Sequence, residues 1–232
     1  MRVLYILLLL PLSAFAQDLT AEEVLDKSIA YHDPNGEWES FKGELTVKMT
    51  TPNKSPRITS LFFDLPRSYF FAEAKQDDIR TSYTVFEGEC EVTIIPEDNV
   101  APPCERAIMY RDYYTYLYGL PMKLKDPGTS LDPIVTRMEF NGKQAIMLQV
   151  SYDPEVGSDV WRFYFDPSSY RMFAYQFYKG DPEGKGLNTG EYILLDGEFK
   201  VGDMRIPKDR SWYYNKNNEF LGKDALIPNP ED

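Results

Sequence analysis

The chain has 232 residues, 15% of them aromatic, and a formal charge of −12. That length is enough to bury one substantial core. The acidity excludes nucleic acid as a partner, because phosphates demand a basic face, and it excludes electrostatic capture by anionic lipid.

The first segment reads as a secretory signal peptide. Arg2 supplies a positive end, residues 3–12 form an apolar run, and Ala14-Phe15-Ala16 offers a small-residue cleavage site. The run is too short for a membrane span, which needs about 20 apolar residues, and no later segment approaches that length. Cleavage after Ala16 would leave 17–232 as a single domain, periplasmic or secreted, with no integral membrane segment. No cysteine follows the cleavage point, so a lipid anchor there is not expected.

Next comes an amphipathic helix. Thr20 and Glu23 stand at capping-box spacing. Ala21, Val24, Leu25, Ser28 and Ile29 then repeat with helical period, and Asp33-Pro34-Asn35-Gly36 stops the run. From Trp38 the period changes to two. Five runs, near 38–51, 57–65, 68–75, 79–86 and 89–95, are separated by connections too short for anything but antiparallel neighbours.

Residues 97–132 interrupt this meander with Pro102-Pro103, a tyrosine-rich helix at 108–117 and a loop at 123–131. Strands resume at 134–140 and 143–152, flanking the hairpin signal Asn141-Gly142. Further strands fall at 159–165, 170–179, 191–201, 204–207 and 210–215, and 228–232 reads as a frayed tail. About ten strands in one reversing series, with two helices, predict a mainly β (α+β) fold. In it an antiparallel meander curls into a half-barrel or open barrel covered by the helices, since a twisted sheet of that size rarely stays flat.

Candidate chemistry is sparse. His32 is the only imidazole, which excludes His-pair metal sites. At the end of a helix it reads as a cation favoured by the dipole. The stretch 180–186 lacks phosphate-loop spacing and reads as a mobile hairpin loop, and 33–37 lacks calcium-loop spacing. No nucleophile–base pair is visible, so no catalytic residue, cofactor or metal is assigned and the chain reads as a non-enzyme. Cys90 and Cys104 are the only cysteines; export permits their pairing as a structural disulfide closing a 15-residue loop.

The aromatic inventory is richer. Phe62-Phe63 and Tyr69-Phe70-Phe71 are apolar on both faces of their strands, which calls for a covering element on each side or an enclosed cavity. Tyr110, Tyr113, Tyr114 and Leu117 from the second helix, with Phe70, Trp161, Phe163 and Tyr175 from the strands, are the residues expected to line such a cavity. Tyrosine suits a cavity rim, having an apolar body and a polar tip. The same residues also fit a β-domain with a filled core, no small-molecule ligand and a protein partner on a surface patch. A measured cavity separates the two readings.

The stretch 113–129 carries Tyr113-Tyr114-Thr115-Tyr116-Leu117-Tyr118-Gly119-Leu120-Pro121 and Asp126-Pro127-Gly128-Thr129. It resembles a block from an uncharacterised family of exported Bacteroidota proteins. In element order the mature chain also resembles the lipoprotein-carrier superfamily, the LolA- and LolB-like proteins. That resemblance implies a half-barrel with an apolar inner face closed by helices and able to hold acyl chains, with a lipid or lipoprotein as partner. No residue pattern matches the carriers' functional arginine or release loop. The sequence does not indicate an oligomeric state.

Overall fold

A computed structural model describes residues 19–229; the expected signal peptide at 1–16 and the last residues of the expected tail lie outside them. Helix α1 (Ala21–His32) precedes strands β1 (Lys42–Thr51), β2 (Lys54–Asp64), β3 (Tyr69–Gln76), β4 (Ile79–Phe86) and β5 (Glu89–Ile95). Helix α2 (Glu105–Gly119) and a 3₁₀ turn (Met122–Lys125) follow. The remaining strands are β6 (Thr129–Leu131), β7 (Thr136–Phe140), β8 (Lys143–Tyr152), β9 (Val160–Phe165), β10 (Met172–Tyr178), β11 (Glu191–Val201), β12 (Met204–Tyr214) and β13 (Phe220–Ile227).

All thirteen strands belong to one antiparallel sheet with the order β5-β4-β3-β2-β1-β13-β12-β11-β10-β9-β8-β6, and β7 pairs with another stretch of β8. The two ends do not pair with each other, so the fold is the expected open half-barrel with two helices. Three expectations need correction. The run after Gly202 is one strand rather than two, and the stretch read as a loop at 123–131 contains a 3₁₀ turn and β6. The largest miss is β13. It pairs with β1 on one side and β12 on the other, fusing two meanders into one sheet. Its inner face carries Gly222, Asp224 and Leu226, and a glycine and a carboxylate there hide the apolar alternation that marks a strand.

The concave face holds two buried clusters. One joins Leu45, Val47, Leu61, Phe63, Phe70 and Val85 to Ala107, Tyr114 and Tyr118 of α2. The other joins Ile146, Leu148, Phe163, Phe165 and Ile193 to Val24 and Leu25 of α1 and Leu117 of α2. Helix α2 therefore lies inside the curve and contributes to both. Its start is pinned by the Cys90–Cys104 disulfide, which ties β5 to the α2 N-cap across a Cα–Cα distance of 5.6 Å. Its end is crowded: a Cβ on Gly119 would sit 2.5 Å from the Trp38 indole, so only glycine fits.

Helix α1 has the predicted capping box, with Thr20 and Glu23 bonding each other's backbone N–H. His32 departs from the sequence reading. It is buried, donates from Nδ1 to the Arg205 carbonyl at 2.6 Å, and accepts at Nε2 from the Met172 N–H at 3.0 Å. Burial holds it neutral, with a pKa lowered to about 4, so it bridges two strands rather than serving as a cation at the helix end.

Candidate functional site

Curvature of the sheet leaves an open-mouthed cavity of about 1150 Å³ beside the C-terminal half of α2. One wall comes from the end of β2 and the start of β3, through Phe63 and Phe70. The opposite wall comes from β9, β10 and β12, through Trp161, Phe177 and Trp212. Tyr113 and Leu117 form the helical side. These aromatics brace one another: Tyr113 stacks on Trp212 at 6.3 Å, and Trp161 on Phe177 at 5.0 Å. Tyr116 also lines the cavity, and its hydroxyl hydrogen-bonds that of Tyr152 at the mouth. Burial, with the Asp126 charge and against the Tyr116 hydrogen bond, pushes Tyr152 up to about 12, and burial raises Tyr116 well above its ordinary value, so the pair presents neutral hydroxyls across ordinary pH.

The rim is charged. Arg111, Lys123, Glu155, Asp159 and Glu191 surround the mouth, and Lys123 is paired with Asp126. An apolar floor under a mixed-charge rim is the arrangement of a site that takes an apolar body and leaves a polar end in water.

The eight residues expected to line a cavity divide. Phe70, Tyr113, Leu117 and Trp161 line the large cavity. Tyr114, Phe163 and Tyr175 are at most 2% exposed and fill the core beneath it. Tyr110 instead lines a second, smaller cavity of about 220 Å³, formed with Arg57, Tyr83 and residues of β3 and β4.

Between the two lies a row of charges that sequence reading missed. Arg210 on β12 is the direct cross-strand neighbour of Asp224 on β13. Asp224 is opposite Met49 on β1, and Met49 is opposite Arg57 on β2. Arg210 is 1% exposed; it lies over the Tyr118 ring and donates to the carbonyls of Pro207 and Leu117, at 2.9 and 3.0 Å. Asp224 is buried, and desolvation raises its pKa against the lowering fields of Arg210 and Arg57. The available signal was a charge at an inward position of an otherwise apolar alternation, as in Arg57-Ile58-Thr59-Ser60-Leu61.

Among the described residues no three His, Cys, Asp or Glu side chains come together as metal ligands, and no helix is long and apolar enough to cross a membrane.

Comparison with known proteins gives a family and a fold. The model of DUF6503, a family of unknown function, matches residues 1–229. No curated protein matches. Among solved structures, a LolA superfamily protein from Nitrosomonas europaea is similar with a TM-score of 0.51 at 10% identity, over 92% of this chain and 96% of that one. A DUF1329 family protein from Desulfovibrio piger ATCC 29098 is similar with a TM-score of 0.52 at 6% identity, over 89% of this chain and 90% of that one. At such identities the likeness is one of fold.

Proposed function

We propose, from the premise that the chain belongs to the DUF6503 family, that it is a non-enzymatic binding protein that holds an apolar ligand such as a lipid or lipoprotein acyl chain. The observation that carries this reading is the open cavity of about 1150 Å³ with aromatic walls. Its size is just above the usual range for ligand pockets, roughly 300–1,000 Å³. A filled core would leave no such volume, so the cavity favours a ligand-holding half-barrel over a purely structural β-domain. The fold likeness to a LolA superfamily protein supports the same reading. The sequence of 1–16 and the Cys90–Cys104 bond support export to the periplasm or beyond.

Each methylene buried in the cavity contributes about 0.8 kcal/mol, so affinity should rise steadily with chain length. Two of the three tryptophans, Trp161 and Trp212, line the cavity, whereas Trp38 is in the core. Titration with saturated fatty acids of increasing length should therefore change tryptophan emission saturably and more tightly for each added carbon pair. Tyr113→Arg, which puts a charge on the wall at a partly exposed position, should weaken binding at least tenfold. An unchanged emission with every chain length, together with no apolar ligand in extracts of protein from its own host, sinks the proposal.

A further inference from the structure

The charge row leaves an imbalance. Two guanidiniums, Arg57 and Arg210, feel the field of one buried carboxylate, Asp224. Arg210 has carbonyl partners, but Arg57 does not. Its Nη1 and Nη2 reach only the hydroxyls of Tyr110 and Tyr114, at 3.5 and 3.3 Å, and its Nε is buried with no hydrogen-bond partner. It takes part in no ion pair among the described residues. A guanidinium half-buried in this way keeps its charge, because its pKa is far above neutrality, and a charge away from water with no direct counter-ion, only the distant field of Asp224, is costly.

Arg57 also lines the small cavity of about 220 Å³, at the opposite end of α2's tyrosine face from the large one. Around it stand Tyr110, Tyr83, Thr81, Gln76 and Asp77. The Asp77 carboxylate is engaged by the Ser55 hydroxyl at 2.7 Å, and the Gln76 amide donates to the Ser55 carbonyl at 2.8 Å. The Tyr83 and Tyr110 rings meet edge to face at 4.7 Å, and burial raises the Tyr83 phenol, so it keeps its proton. Guanidinium and hydroxyl groups converge on one concave space. A volume of this size has room for an oxyanion with several waters, at about 30 Å³ per water.

We propose that this second cavity is a binding site for an anionic phosphate group, with Arg57 as its counter-charge and Tyr83, Tyr110 and Thr81 as hydroxyl donors. The phosphate is either free or the head of an amphiphile. Arginine suits phosphate because its planar fork offers several donors at once. The site is separate from the apolar cavity and does not rest on the apolar-ligand reading.

The test is calorimetric titration of the full mature chain with inorganic phosphate and with octyl phosphate, against chloride at equal ionic strength. Phosphate should bind saturably where chloride does not. Arg57→Gln should weaken phosphate at least tenfold, and Lys48→Gln, the same charge change at an exposed site, should leave it unaltered. Ala74→Met puts bulk into the small cavity and keeps the arginine itself; it should also cost tenfold, and it decides the matter if Arg57→Gln fails to fold. Octyl phosphate tighter than inorganic phosphate by tenfold identifies an amphiphile head; equal affinities identify a free anion. Phosphate no better than chloride, or phosphate binding that survives both Arg57→Gln and Ala74→Met, overturns the site. Ala74→Met should leave fatty-acid binding intact and Tyr113→Arg should leave phosphate binding intact, so the two sites fail separately.

Discussion

In the amino-terminal wing, β3 and β4 alternate buried and partly exposed residues almost without a break, whereas β8, β9 and β10 carry consecutive buried residues such as Phe163-Tyr164-Phe165 and Met172-Phe173-Ala174-Tyr175. The cause is on the convex side. There β7 turns over the carboxy-terminal wing and sets Phe140 at 3.8 Å on Tyr164, in a cluster with Met147 and Phe173. Among the described residues nothing comparable covers β2 and β3. Phe62 and Tyr69 pack on one another at 5.9 Å and stay partly exposed, and Phe71 is partly exposed too, while Phe63 and Phe70 are buried inside. The pairs Phe62-Phe63 and Tyr69-Phe70-Phe71, apolar on both faces in the sequence, thus keep their outer rings partly exposed, and burial of both faces occurs in the other wing. A strand pair of aromatics marks two-sided burial only where another element reaches the outer face.

That difference can be broken by truncating one ring in each wing. Phe163 is fully buried, against Trp161 at 6.0 Å and Tyr175 at 6.2 Å. Phe163→Ala should cost about 3–5 kcal/mol, read from urea unfolding midpoints. Phe62→Ala, on the uncovered face, should cost about 1 kcal/mol. Equal losses would mean that the wings are packed alike. An effect between these two belongs to the thin edge of the amino-terminal wing, where every second residue of β5 is exposed. The disulfide ties that edge to α2 through a loop of about 15 residues, and Cys90→Ser with Cys104→Ser should cost about 3 kcal/mol. Little change on losing it would show that α2 holds the edge by packing alone.

Much of this architecture was legible because local chemistry and global packing agree. The capping box of α1, the strands around Asn141-Gly142 and the alternation of β1 to β5 all follow from short-range rules. What was illegible depends on contacts distant in sequence. Strand β13 carries Asp224 inward because Arg210 and Arg57, far apart in the chain, are its neighbours in the sheet. Tyr113 and Tyr114 are adjacent on α2, yet one lines the large cavity and the other fills the core. An aromatic on the inner face looks the same in sequence whether α2 covers it or leaves it open, and no local rule fixes where α2 lies. His32 was misread for the same reason: both of its partners lie more than 100 residues away.

The last expected effect is seen only as a pH dependence and is the one most specific to the carboxy-terminal wing, because His32 is the bolt between α1 and strands β10 and β12. Burial lowers its pKa to about 4 and outweighs Glu198, whose charge favours the proton; Arg171 and Arg205 disfavour it. The unfolded chain has the ordinary value near 6.5. Between these values the unfolded state takes up a proton that the folded state refuses. The contribution is therefore complete above about pH 6.5 and declines as the pH falls toward 4. At pH 5 the loss should be about 2 kcal/mol. His32→Gln keeps a donor and an acceptor but cannot take up that proton. Its stability should start lower at pH 7 and then change less than wild type between pH 7 and 5, in chemical unfolding at each pH. If both proteins lose the same amount over that interval, the acid sensitivity comes from carboxylates elsewhere, and His32 is not what the carboxy-terminal wing loses first.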